Sequence, residues 1–140
     1  VGGLVGLVSG GSVEDSYSSM NITAGQRYHN LGGLIGSVSA ATVSRNYVSG
    51  SVSPYTANSS YYGSFAGKSS NSSFLNNYWN SDAANQAHAY VVSGTGNVGS
   101  IANQVEAKST TELRQQSTFV GWNFGSIWEI QESISSPTLR

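Results

Sequence analysis

The sequence predicts an all-β protein folded as a parallel β-solenoid, a coil of short strands stacked rung upon rung. Three observations carry that reading. The block Val1-Gly2-Gly3-Leu4-Val5-Gly6 returns 30 positions on as Leu31-Gly32-Gly33-Leu34-Ile35-Gly36, and 31 positions later as Tyr62-Gly63-Ser64-Phe65-Ala66-Gly67. A second landmark keeps step, since Tyr17, Tyr47 and Tyr78 each lie 11 positions after the closing glycine of their own block. Within each copy the apolar residues are too sparse and the glycines too frequent for a helix, while short β-type runs alternate with Gly/Ser/Asn turns. A repeat of this period belongs to stacked architectures, in which one unit cannot bury its apolar side alone.

Residues 1–79 divide into rungs at 1–30, 31–61 and 62–79, and corresponding positions keep their character. Leu4, Leu34 and Phe65 match, as do Val5, Ile35 and Ala66; Val8 and Val38; Val13, Val43 and Phe74; and Ile22 and Val52. Parallel pairing at about 4.8 Å would lay each over its counterpart. A β-sandwich of antiparallel hairpins is the competing architecture, but it has no need of a fixed echo. One point of register stays open. Val13, Asp15 and Tyr17 would share a face of a regular strand, as would Val43, Arg45 and Tyr47. Either a bulge or bend separates them, or the tyrosines face outward. Stacking also makes neighbours of Asp15 and Arg45, expected as an exposed pair worth ~0–1 kcal/mol.

Residues 80–109 read as a connector or an irregular last rung, with one apolar run at Tyr90-Val91-Val92. Ser109 and Glu112 have the spacing of a capping box ahead of one short helix. Residues 110–140 hold Phe119, Trp122, Phe124, Ile127, Trp128 and Ile130. A bulky segment after the last rung reads as a C-terminal aromatic-rich cap over apolar surface and strand edges.

Composition narrows the function classes. Six Lys+Arg against seven Asp+Glu give a net charge of −1, without the basic field that nucleic-acid binding needs. The absence of cysteine excludes disulfides, thiolate metal sites and a cysteine nucleophile. With only 9% charged residues the surface must be largely Ser, Asn, Thr and Gln, which suits an extracellular β-rich protein. No run of 18 apolar residues and no basic-then-apolar leader is found, so neither membrane insertion nor a signal peptide is expected. Opening inside a repeat block, the chain reads as part of something longer.

Gly3-Leu4-Val5-Gly6 and Gly33-Leu34-Ile35-Gly36, followed by Ser16-Tyr17-Ser18 and Asn46-Tyr47-Val48, resemble the GLUG-motif repeats of large bacterial surface proteins. These include adhesins, filamentous-haemagglutinin-like proteins and the non-catalytic part of immunoglobulin A proteases. Asn77-Tyr78-Trp79-Asn80, Thr110-Thr111-Glu112-Leu113, Phe119-Val120-Gly121-Trp122-Asn123-Phe124-Gly125 and Trp128-Glu129-Ile130 resemble the segment that closes such arrays. Copy three departs from the pattern at Ser64-Phe65-Ala66-Gly67. The resemblance implies a secreted or surface-attached solenoid and carries over no catalytic residue.

The residues themselves suggest little chemistry. Gly94-Thr95-Gly96-Asn97-Val98-Gly99 has the glycine spacing of a dinucleotide cradle but lacks the flanking βαβ units, so it reads as a turn and no cofactor is expected. His29 and His88 stand apart, and Glu14, Asp15 and Asp82 form neither a calcium loop nor a carboxylate pair for glycoside cleavage, so no metal site or catalytic residue is expected. No nucleophile elbow is present. Asn21, Asn58 and Asn71 open glycosylation sequons. Tyr55, Tyr61, Tyr62, Tyr78 and Trp79 could hold sugar rings if exposed; packing between rungs is the commoner use of such rings. Tyr61, Tyr62 and Trp79 are therefore the candidate glycan contacts, and Val1, Leu4, Val5 and Val8 the candidate assembly edge. The expected function is a non-enzymatic, extracellular structural or adhesive module of a larger bacterial surface protein. The alternatives are a self-assembling fibre subunit, a carbohydrate-binding module and, last, a polysaccharide-cleaving β-helix. Expected partners are upstream repeats or a neighbouring subunit at the open first rung, and a host or surface glycan.

Overall fold

The computed structural model describes residues 1–25, 30–55, 61–92 and 95–140. His29, the sequon at Asn58 and the first glycine of the 94–99 motif lie outside the described residues. Coil 1 contains β1 (Val5–Ser9), β2 (Ser12–Glu14), β3 (Tyr17–Ser18) and β4 (Ile22–Thr23). Coil 2 contains β5 (Asn30–Gly32), β6 (Ile35–Ser39), β7 (Thr42–Ser44), β8 (Tyr47–Val48) and β9 (Val52–Ser53). Coil 3 contains β10 (Tyr61–Gly63), β11 (Ala66–Ser70), β12 (Ser73–Leu75) and β13 (Asn77–Asn80).

Each strand pairs in parallel with its counterpart in the next coil, giving the ladders β1-β6-β11, β2-β7-β12, β3-β8-β13, β4-β9 and β5-β10. The register is the one the repeat implies: Val5 beside Ile35 beside Ala66, Val13 beside Val43 beside Phe74, Tyr17 beside Tyr47 beside Tyr78. The protein is a parallel β-solenoid of about three coils, and the sandwich alternative is excluded.

The glycine-rich block is dictated by crowding. Between β5 and β6 the chain turns sharply while lying flat on the coil above. A Cβ added at Gly32 would meet the Ile35 carbonyl oxygen at 2.0 Å and the Gly67 nitrogen at 2.6 Å; one at Gly33 would meet the Ser64 carbonyl oxygen at 2.2 Å. Coil 3 escapes this at Ser64, because the layer above it is irregular. The Ser64 hydroxyl instead donates to the Gln86 carbonyl at 2.9 Å.

Corners recur at fixed positions. Gly10, Ala40 and Asn71 take φ of 79°, 51° and 48°, and Asp15, Arg45 and Asn76 take 48°, 55° and 53°. These left-handed residues interrupt the two-residue alternation, which answers the register question in both its forms. Val13 and Val43 face inward, a corner follows, and the tyrosines then face outward. Adjacent residues divide accordingly: Val48 and Trp79 belong to the coil interior, Tyr47 and Tyr78 to a separate outer cluster. Inside, Leu34, Ile35, Val38, Val43, Val48 and Phe65 are wholly buried. A smaller core of Ile22, Ala24, Leu31 and Val52, with Tyr62 against it, lies beneath β4-β9 and β5-β10.

A buried asparagine ladder follows the second corner. The Asn77 side-chain oxygen accepts from the Asn46 backbone N–H at 3.1 Å and from the Asn46 amide at 3.0 Å. The Asn77 amide donates to the carbonyls of Val43 and Gln104, and that of Asn46 to those of Val13 and Ser44. Backbone groups turned out of line by the corner thus find partners without water.

A fourth, irregular layer closes one end. β14 (Tyr90–Val92) pairs in parallel with β11, β15 (Gly96–Val98) folds back antiparallel on β14, and β16 (Val105–Lys108) pairs in parallel with β13. The Tyr90 ring stacks on Phe74, centroids 4.6 Å apart, and plugs the core there. Ser109 and Glu112 form the reciprocal box: the Glu112 carboxylate accepts from the Ser109 N–H at 2.8 Å, and Ser109 Oγ accepts from the Glu112 N–H at 3.2 Å. The box leads into two short 3-10 turns, Glu112–Arg114 and Gln116–Thr118, in place of one helix. The chain ends with a hairpin of β17 (Trp128–Glu129) and β18 (Thr138–Leu139).

The ladder yields a test. Asn77→Ala removes the side-chain partner of the Asn46 N–H and of the Val43 carbonyl, so equilibrium urea unfolding should show a loss of about 2–4 kcal/mol. A loss below about 0.5 kcal/mol would mean that the ladder does not hold the corner.

Candidate functional site

The outward tyrosines are not exposed. Tyr17 stacks on Tyr47 with centroids 5.3 Å apart and planes 7° from parallel, and Tyr78 lies beside Tyr47 in the same ladder. Leu113, Phe119, Trp122 and Trp128 cover them, all buried. Phe119 meets Tyr78 edge-on at 5.3 Å, Trp122 contacts Trp128 at 4.4 Å, and Trp128 reaches Tyr17 in coil 1 at 6.1 Å. The aromatic tail expected as an end cap is therefore a brace along one side, running from the fourth layer back to the first coil. Burial pushes the phenol of Tyr47 far above its usual value, with Tyr17 adding a smaller push. The hydroxyl donates to the Pro137 carbonyl at 2.7 Å.

The attachment is made of side chains. Trp122 Nε1 donates to the Asn76 carbonyl at 3.0 Å, Trp128 Nε1 donates to Asp15 at 3.2 Å, and Tyr78 Oη accepts from the Val120 N–H at 3.2 Å. Among the described residues no backbone-to-backbone hydrogen bond joins residues 113–140 to the coils. Asp15 also accepts two hydrogen bonds from Arg45, both 2.9 Å, and Glu14 accepts another at 2.7 Å. This group ties coil 1, coil 2 and tail together. It differs from the expected exposed pair, since the Arg45 and Asp15 side chains are only 26% and 19% accessible. The Arg45 hydrogen bonds hold the Asp15 carboxyl below the usual carboxylate range, against desolvation and with help from Trp128.

The three candidate glycan contacts do not assemble. Trp79 is 2% exposed and packs inside the coil beside Val48, so it is no platform for a sugar. Tyr61 and Tyr62 are half-buried neighbours on β10. The Tyr62 ring turns to the small core and to His88, 5.1 Å away, while Lys68 Nζ sits 4.8 Å over the Tyr61 ring. Tyr55 is exposed. A cavity of about 140 Å³ lined by Glu129, Ile130, Gln131, Ser135 and Thr138 lies in the tail, well below the roughly 300–1,000 Å³ usual for ligand pockets. Among the described residues no group of three or more His, Asp or Glu is placed to hold a metal ion.

Val1, Leu4, Val5 and Val8, the candidate assembly edge, lie together on coil 1. β1, β2 and β3 each stand at the end of their ladders. Val1 and Leu4 are 58% and 51% exposed and Val5 and Val8 are partly open, whereas Leu34, Ile35 and Val38, at the places of Leu4, Val5 and Val8, are wholly buried. What separates the two coils at these positions is the layer of backbone that covers coil 2.

Fold and edge together define a repeat protein, and the comparisons agree. Residues 1–23 match the family model described as the GLUG motif. The chain carries a GLUG-type repeat region: the matched stretch is coil 1 as far as β4, and coils 2 and 3 continue it in register. No curated protein and no solved structure matches the chain. The strand pattern does not reveal that the tail docks onto the tyrosines, although a ring at one repeat position and an aromatic-rich tail are both visible in it. Asn46 and Asn77, each one residue before a ladder tyrosine, are the signal for the buried polar ladder.

Both the brace and its anchor can be tested. Trp122→Ala should cost about 3–5 kcal/mol of tail docking, read by hydrogen exchange as lost protection at 113–140 with the amides of β6 and β11 still protected. Equal loss in coils and tail would contradict a brace held by side chains alone. Because the folded-state pKa of Asp15 is depressed, its contribution is complete above the unfolded value of about 3.9 and is lost as pH falls through the folded one. Thermal scans of Asp15→Asn should therefore show a smaller fall in Tm between pH 6 and pH 2 than the parent chain; an equal fall would remove Asp15 from the acid response.

Proposed function

We propose that this chain is a non-enzymatic structural module of a larger bacterial surface protein, working outside the cell as a stiff segment that holds or presents other parts. The observation that carries the reading is the in-register parallel stack. Its strands are committed to one another along the axis, its core is an inward row of apolar residues, and Ser, Thr and Asn are common outside. An adhesive role would use the outer polar faces. A homopolymeric fibre is the second reading, favoured by the exposed first coil and opposed by the Tyr90 plug and the antiparallel β15 at the other end. The glycan reading keeps Tyr61 and the exposed Tyr55 but loses Trp79.

The test is made on the parent protein in its own cells. An antibody raised against the folded 140-residue chain should label intact cells, and external protease should remove the label. Labelling only after lysis would overturn the extracellular assignment. A glycan array probed with the chain and with Tyr61→Ala separates adhesion by aromatics, which predicts binding lost in the variant, from a purely structural module, which predicts none in either.

A further inference from the structure

The closing glycine of the repeated block occurs three times, at Gly6, Gly36 and Gly67, but the structure demands it only twice. A Cβ at Gly36 would lie 2.6 Å from the Gly6 carbonyl oxygen and 2.8 Å from backbone atoms of Val1. One at Gly67 would lie 2.5 Å from the Gly36 carbonyl oxygen and 2.6 Å from the Leu31 nitrogen. In both cases the obstacle is the backbone of the preceding coil, so close stacking forbids a side chain. At Gly6 an added Cβ meets nothing within 4 Å, and its φ is not in the left-handed region. Neither space nor backbone conformation calls for glycine there.

A carbonyl tells the same story. The Phe65 carbonyl accepts from Leu34 N–H and Ile35 N–H at 2.8 and 3.3 Å, and the Leu34 carbonyl from Leu4 N–H and Val5 N–H at 2.9 and 3.1 Å. The donors come each time from the preceding coil. The Leu4 carbonyl holds that place on coil 1, and no described donor reaches it. Leu4 and Val5 beside it are the apolar side chains left uncovered.

We infer that the open face of coil 1 is an acceptor for one further coil of this same repeat, entering parallel and in register, and that Gly6 is the residue that admits its backbone. The inference deepens the reading as a structural module by naming the partner and the side from which it comes. The occupant is the one continuous with the interface already present between coils 1 and 2, since the glycine, the carbonyl and the apolar pair all repeat at the registers of that interface. The opposite end is built differently, although β12 and β16 also end their ladders there. There Tyr90 plugs the core, β15 runs antiparallel, and the backbone N–H groups of Asn76 and Asn77 are already bonded to the carbonyls of Asn103 and Gln104. A second copy adding head to tail would therefore meet a surface unlike the one between coils 1 and 2.

The experiment places a copy of residues 31–61 directly ahead of Val1 in the full chain and compares it with the 140-residue chain, each with and without Gly6→Ala. Stacked repeats gain stability from each new interface, so the added coil should raise Tm by about 5 °C or more. Gly6→Ala should leave the 140-residue chain within about 2 °C, because alanine in open strand space is not strained, and should abolish the rise in the extended chain. Limited proteolysis gives a second reading: the added coil should resist cleavage when Gly6 is intact and be cut in the Gly6→Ala variant. No rise in Tm and rapid cleavage with Gly6 intact would overturn the inference, as would an equal loss from Gly6→Ala in both lengths. So would dimerisation of the 140-residue chain in sedimentation velocity that Gly6→Ala abolishes, since the occupant would then be a second copy. None of these outcomes depends on the cell-surface result, so the two readings fail separately.

Discussion

Everything in this protein depends on the distance between stacked coils. Parallel strands bonded along the axis stand about 4.8 Å apart, and at that spacing each residue lies against its own counterpart. Glycines are required where backbone lies on backbone, as at Gly32, Gly33, Gly36 and Gly67. A ring repeated at one position stacks on its counterpart, as Tyr17 does on Tyr47. A polar group turned inward at a corner must find its partner one layer away, and Asn46 and Asn77 do so. In the main core a layer on each side is what makes Leu34 dry while Leu4 is not.

This constraint explains why the architecture is legible in the sequence. A fixed echo of glycines and tyrosines is what like-over-like stacking leaves behind, and the strand register can be read from it residue by residue. The faces are harder. Alternation by twos fails wherever a left-handed corner intervenes, and glycine, asparagine and aspartate can announce one, whereas Ala40 and Arg45 do not. The tail is readable as bulky and apolar but not as lateral, because its contacts are with Tyr17, Tyr47 and Tyr78, residues that a strand pattern could turn either way. The sugar-binding reading of Trp79 fails for the same reason: its neighbour Tyr78 faces out, so Trp79 faces in.

The two ends of the stack are unlike, and the side is guarded separately. At one end Tyr90 and the β14–β15 hairpin stop the repeat; at the other, coil 1 keeps the geometry of an internal layer with nothing over it. The tail passes from the fourth layer to Trp128 beside Tyr17 and Asp15, using side chains and, among the described residues, no shared ladder with the coils. Along the axis the coils are joined by backbone pairing, and an aromatic seam is laid across them.

The most direct test of this account is a measurement of through-hydrogen-bond couplings in the isotopically labelled chain. The account predicts correlations from the nitrogen of Val5 to the carbonyl carbon of Leu34 and from that of Ile35 to that of Phe65, a chain of links stepping one coil at a time. Close Hα–Hα contacts between β1 and β2 or between β6 and β7, the mark of antiparallel hairpins within one repeat, would contradict it.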